Sequence, residues 1–283
     1  MNGTTTTVGS VREALDAAVD ALRAAGVESP RLDAELLLAE AAGWRRERLA
    51  AEPGAGVEPR AARRFGEMVR RRVLREPVAY ILGRRGFRRL ELAVDRRGLI
   101  PRPETELLVE IALELRPRTA LDLGTGSGAV ALAVADELPD CQVIATDTSS
   151  SALDLASENA ERLGLEGRVR FERGTVPEGA RFELVLANLP YVRADEWERL
   201  QPEIRRYEPR EALVAGPEGI ETIAAMAPAI AAALGPKGAL ALEVGAGQAG
   251  AVAEFLVDLG FGQVEGRLDL AGIPRIVLAQ VPP

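Results

Sequence analysis

The chain has 283 residues, 47% hydrophobic and 28% charged, with a formal charge of −8, a length that suits one large α/β domain and a smaller one. It has no histidine and a single cysteine, Cys141, which excludes a serine–histidine triad, a histidine-held metal, an imidazole base and a disulfide framework. No apolar run approaches the roughly 20 residues that span a bilayer and MNGTTTTVGS lacks the pattern of a secretory signal, so a cytoplasmic protein without metal or membrane partner is expected.

The first third reads as helices, behind a frayed tail over residues 1–9. Ser10 and Glu13 form a capping-box pattern, Leu15, Ala18, Val19 and Leu22 share one face, and Gly26 ends the helix. Ser29-Pro30 opens a second helix, which Gly43 ends. After a Gly/Pro-rich loop, a third helix is expected over 59–75. Tyr80 to Leu82 and Phe87 to Val94 then read as two short strands around a turn at Gly83 to Gly86. Leu99-Ile-Pro-Arg-Pro-Glu-Thr-Glu106 leads into another helix, its two prolines holding the chain extended.

From Thr119, strands and helices alternate as in a parallel doubly wound sheet. Strands are expected at 120–123, 142–146, 169–172, 184–187 and 239–244. Helices are expected at 129–137, 150–163, 219–234 and 247–259, and the chain closes with a β-hairpin over 263–269 and 275–280. Charge is unevenly spread. Residues 44–102 hold 17 Arg and 7 acidic residues, a local balance of +10 that leaves −18 elsewhere. Such a block either meets an acidic or polyanionic partner or is a set of solvated helix faces.

Two strand tips carry the signs of a nucleoside cofactor. Leu121-Asp-Leu-Gly-Thr-Gly-Ser-Gly128 is a strand entering a glycine-rich turn and a helix, where free backbone N–H groups meet a ligand. Gly124, Thr125, Gly126, Ser127 and Gly128 are therefore candidate cofactor contacts. Asp147, at the tip of the next strand, is placed to hold ribose hydroxyls, and can equally cap the following helix. These features leave NAD and S-adenosylmethionine both open.

The strand Leu184 to Ala187 ends in Asn188-Leu189-Pro190-Tyr191. An amide or aromatic amine nitrogen is a weak nucleophile, because its lone pair is delocalised. The Asn188 side-chain oxygen and the Leu189 carbonyl can each accept one of its N–H groups and favour positive charge on nitrogen. Pro190 holds Leu189 extended, and Tyr191 can cover the planar group. Asn188, Pro190 and Tyr191 are the candidate catalytic residues, with Leu189 a further substrate contact. This favours a methyl donor over a hydride carrier, whose usual histidine or Tyr-x-x-x-Lys partner is missing.

These segments, with Glu76 to Gly83, Tyr207-Glu-Pro-Arg-Glu-Ala-Leu213, Leu242-Glu-Val-Gly245 and Asp269-Leu-Ala-Gly272, resemble the HemK-type N(5)-glutamine methyltransferases of peptide chain release factors. The resemblance runs from about Glu76 to Gln280. It implies a helical substrate-recognition domain (1–76), a β-hairpin linker (77–98) and a Rossmann-like class I methyltransferase domain (99–283), an α/β fold with a mostly parallel sheet and a closing hairpin. It further implies S-adenosyl-L-methionine as cofactor and the glutamine of the release-factor Gly-Gly-Gln motif as acceptor, with Asn188 between the two; a monomer that needs no nucleic acid is expected. Two positions depart from the family. Leu189 replaces the usual second-position proline, a form resembling the rRNA adenine dimethyltransferases, and Arg173-Gly-Thr-Val176 stands where the family commonly has an acidic or aromatic cofactor contact, so that at most a weaker adenine contact, at Thr175, is expected. A nucleic-acid adenine methyltransferase and a non-catalytic cofactor-binding module are the alternatives.

Overall fold

A computed structural model describes residues 9–282; the expected tail falls almost wholly outside them. The chain divides into two compact units, 1–83 with 201–207, and 84–200 with 208–283. The elements in the first part of the chain are α1 (Val11–Ala24), α2 (Pro30–Ala42), α3 (Arg46–Ala51), α4 (Pro59–Val73), α5 (Val78–Leu82), β1 (Arg84–Phe87), β2 (Leu90–Ala93) and α6 (Glu106–Leu115). There follow β3 (Thr119–Leu123), α7 (Ala129–Glu137), β4 (Gln142–Asp147), α8 (Ser150–Leu163), β5 (Val169–Arg173), β6 (Phe182–Ala187) and β7 (Val192–Arg193). The last are α9 (Pro202–Tyr207), β8 (Val214–Gly216), α10 (Glu221–Ala233), β9 (Leu234–Glu243), α11 (Ala249–Asp258), β10 (Gly262–Leu268) and β11 (Pro274–Gln280).

In the helical unit, the Ser10 hydroxyl accepts the Glu13 N–H while the Glu13 carboxylate accepts the Ser10 N–H, so the capping box forms as expected. Val11, Leu15 and Leu22 of α1 meet Ala34, Leu37 and Leu38 of α2 and Phe65 and Met68 of α4 in one core. Each large side chain buried there contributes about 1.5–3 kcal/mol. Short α9 joins this unit through Glu203, whose buried carboxylate binds Arg72 and Arg75. Arg72 also pairs with Asp33.

One expectation fails nearby. Tyr80 to Leu82 is not a strand but part of the helical turn α5, which ends at Gly83 with φ of 72°. Five apolar residues between Pro77 and Gly83 have no period that separates strand from helix. The hairpin is real but lies one element later, with β1 pairing β2 from Arg84↔Ala93 to Phe87↔Leu90. Its turn is Arg88-Arg89, without the glycine that usually marks one. Arg88 sits at φ of 53°, held by its N–H to Glu106 and its guanidinium to Glu137.

The second unit is the expected doubly wound fold. Its seven strands run β10-β11-β9-β6-β3-β4-β5, with β9, β6, β3, β4 and β5 parallel and β11 antiparallel to β9 and β10. Successive residues face opposite sides. Ala120, Leu184 and Leu186 pack under α6 and α7, whereas Leu121, Leu123 and Val185 pack under α10 and α11. With both faces covered, polar chemistry is left to the strand ends. The chain order reverses about β3, so the β3 and β6 tips flank the crevice where such sheets bind ligands.

Candidate active site

The loop after β3 is fixed by groups beneath it. Gly124 and Thr125 donate their N–H groups to the Thr146 carbonyl at 2.8 and 2.9 Å. Asp122, buried under the loop, accepts the Thr125 hydroxyl at 2.6 Å and the Ala131 N–H at 3.0 Å, both on Oδ2. Burial pushes its carboxyl up to about 6; those two hydrogen bonds oppose the rise and the charge of Asp147 adds to it. Gly128, with φ of 84°, begins α7, and a Cβ there would lie 3.0 Å from Leu132 and 3.1 Å from Ala156. Asn159, fully buried on α8, donates to the Ser127 and Ala93 carbonyls and accepts the Ala93 N–H. It ties the glycine loop to β2.

Asp147 closes β4. Its Oδ2 accepts the Gly126 N–H at 3.0 Å and its Oδ1 the Ser149 N–H at 2.9 Å. The cap of α8 is the Ser149 hydroxyl, which accepts the Ala152 N–H. Asp147 is therefore free of the capping duty that the sequence left open. A carboxylate has about four lone-pair sites, so each oxygen can take another donor.

A cavity of about 400 Å³ opens at these strand tips, within the range that takes a cofactor-sized ligand. Gly124, Thr125, Gly126, Ser127 and Asp147 line it, as do Asn188, Leu189 and Pro190. The two groups of residues named from sequence, 41 to 66 positions apart along the chain, thus share one space. Thr175 lies on its wall as well. Gly128 and Tyr191 lie outside the wall, Gly128 at the start of α7. Loop amides and a carboxylate facing such a space can hold a nucleoside's ribose and its attached chain. Among the described residues no cluster of three or more acidic or cysteine side chains could hold a metal ion.

Asn188 follows β6, and its Nδ2 donates to the Thr105 hydroxyl oxygen at 3.2 Å. The Leu189 side chain turns into the core beneath α10, against Gly124. This gives an apolar role to the residue that departs from the family pattern. The Tyr191 hydroxyl donates to Glu243 Oε1 at 3.3 Å, and its carbonyl accepts from Gln248. Burial, with the charge of Glu243 beside it, pushes the Tyr191 phenol well above its ordinary value. Glu243 is 2% exposed. Burial pushes its carboxyl up to about 6, against the lowering effect of hydrogen bonds from Thr105 and Tyr191. Thr105, Glu243, Asp122 and Asn159 were not singled out from sequence. The first three sit inside segments already notable for their resemblance; Asn159 showed only as a polar residue on the buried face of a helix.

Two family models match the chain, the PrmC N-terminal domain over residues 13–83 and the methyltransferase small domain over residues 103–202. A release factor glutamine methyltransferase of Cereibacter sphaeroides is 42% identical over 95% of this chain and 98% of its own length. The chain belongs to the release factor glutamine methyltransferase family. Another release factor glutamine methyltransferase, from Moorella thermoacetica, is 41% identical, covering 95% of this chain and 98% of its own. Among solved structures, a methyltransferase from Pyrococcus furiosus superposes with a TM-score of 0.52 at 19% identity, covering 69% of this chain and 90% of its own. That likeness bears on the fold alone. It agrees with the doubly wound sheet of this family member.

Proposed function

We propose that this protein transfers a methyl group from S-adenosyl-L-methionine to the side-chain amide nitrogen of the glutamine in the Gly-Gly-Gln motif of peptide chain release factors, in the cytoplasm. The observation that carries the reading is the position of Asn188. Its side chain shares a cavity with the glycine loop and Asp147, and its amide nitrogen is engaged by Thr105, leaving Oδ1 as an acceptor for a substrate N–H. S-adenosyl-L-methionine, when bound, supplies an electrophilic methyl whose departure leaves a neutral thioether.

The chain's part is to bind and orient. Gly124 to Ser127 offer backbone N–H groups and close approach, Gly128 starts the helix behind them, and Asp147 holds the ribose hydroxyls. Asn188 Oδ1 and the Leu189 carbonyl grip the two N–H groups of the acceptor, so that charge developing on nitrogen is met by fixed oxygens. Pro190 keeps the Leu189 carbonyl extended, and Tyr191 steadies the segment from behind. The methylated amide is strongly acidic and loses its proton afterwards, so no general base is demanded. Orientation supplies most of the acceleration.

The test is a mass spectrum of the Gly-Gly-Gln peptide from a purified release factor, treated with this protein and cofactor. A gain of one methyl on the glutamine is expected. Asn188→Ala should slow that gain about 30- to 1,000-fold while leaving cofactor binding intact, since losing one such acceptor costs about 2–4 kcal/mol in the transition state. Methyl transfer to nucleic acid instead of to the release factor would overturn the assignment.

A further inference from the structure

We propose that Thr105 and Glu243 are positioning residues for the methyl transfer, together deciding which end of the Asn188 amide faces the acceptor; the proposal rests on the role given to Asn188 above. The oxygen and nitrogen ends of an asparagine amide are nearly alike in shape, so hydrogen bonding must tell them apart. Asn188 Nδ2 meets the Thr105 hydroxyl oxygen at 3.2 Å, and the buried carboxylate of Glu243, on the strand beside Asn188, is the anion that this hydroxyl acts on. An ionised carboxylate only accepts, so the Thr105 proton points at Glu243. Only lone pairs are then left on the Thr105 oxygen, and the end of Asn188 that faces it must be the NH2. Oδ1 is thereby turned to the cavity, where an acceptor nitrogen brings N–H groups. With the pattern reversed, donors would face donors and the acceptor would not be held.

The sheet register builds this arrangement. Leu242 of β9 pairs with Ala187 of β6, so the next residues, Glu243 and Asn188, leave neighbouring strands side by side. Tyr191 donates its hydroxyl to the same carboxylate, and both ends of the segment 188–191 are thus referred to one buried group. Thr105 is 5% exposed and Glu243 2%, and Glu243 Oε2 has no hydrogen-bond partner among the described residues. A buried carboxylate with a bare oxygen opposes stability. A neutral side chain would serve packing better, which points to a use in the reaction.

The experiment takes the full-length protein, S-adenosyl-L-methionine and a purified release factor. Thr105→Val keeps the shape of the side chain and removes the hydroxyl. It should lower kcat about 10- to 100-fold with cofactor affinity unchanged, and Thr105→Ser should restore most of the rate. Glu243→Gln introduces an NH2 that permits the reversed pattern, and a drop in kcat of similar size is expected. Because these residues act through Asn188, Thr105→Val should slow the Asn188→Ala protein no further. Wild-type kcat in either Thr105→Val or Glu243→Gln, or losses that multiply in the double variant, would overturn the inference. Full turnover by Asn188→Ala alone would overturn instead the assignment beneath it.

Discussion

Two carboxylates support the glycine loop in different ways, and their environments set what each can do. Asp147 faces the cavity with lone pairs to spare; replacing it with alanine should weaken S-adenosyl-L-methionine binding in calorimetry and leave the fold intact. An unchanged affinity would remove it from the site. Asp122 faces the core, and burial raises its carboxyl from an ordinary 3.8 to about 6. Between those values the native state holds a proton that the unfolded chain has lost, so Asp122 makes stability fall as pH rises through that window. Both its hydrogen bonds use Oδ2, which the oxygen of an asparagine can replace. The melting temperature of Asp122→Asn, minus that of the wild type, should therefore be largest above pH 6 and shrink toward pH 5. A difference that does not vary with pH would show that the group does not titrate there. Residues of this kind were hard to read from sequence. Asn188 stood out because an apolar strand rarely ends in Asn-Leu-Pro-Tyr, whereas Asn159 acts on Ala93, 66 residues away, and no local pattern marks such a contact.

At the scale of elements, legibility followed the strength of the local signal. The α1 start was readable because a capping box is local chemistry, and the strands of the parallel sheet because glycine or proline punctuates their apolar runs. Tyr80 to Leu82 was misread because so short a run carries no period, and Arg88 hid a turn because ion pairs rather than glycine hold its left-handed backbone. Gly128 joins two elements: α7 starts at it, and Ala156 of α8 packs over its bare Cα. Gly128→Ala would meet both the left-handed φ and the two side chains above it. A loss of about 2–4 kcal/mol is expected, read as a lower midpoint in denaturant unfolding; an unchanged midpoint would mean that the two helices can part freely.

For the molecule as a whole, the basic block and the acidic remainder are largely one system. Arg64 pairs with Glu40, Arg72 with Asp33 and Glu203, Arg88 with Glu137, Arg97 with Glu158 and Arg102 with Glu208. In each pair the acid lies outside the 44–102 segment, so much of the local excess is met within the chain rather than kept for a polyanion. The most buried of these pairs is also the most consequential. Glu203→Ala would leave Arg72 and Arg75 charged and enclosed, and a loss of about 3–5 kcal/mol is expected, visible as a lower melting temperature.

The excursion of α9 bears on how this protein can be taken apart. Because 201–207 belongs with the first 83 residues, the backbone crosses between the two units three times, and no single cut separates them. A chimera that took its helical part from a relative by splicing at residue 83 would set one parent's Glu203 against the other parent's arginines. Grafts that carry both stretches should fold; those that carry the first alone should not.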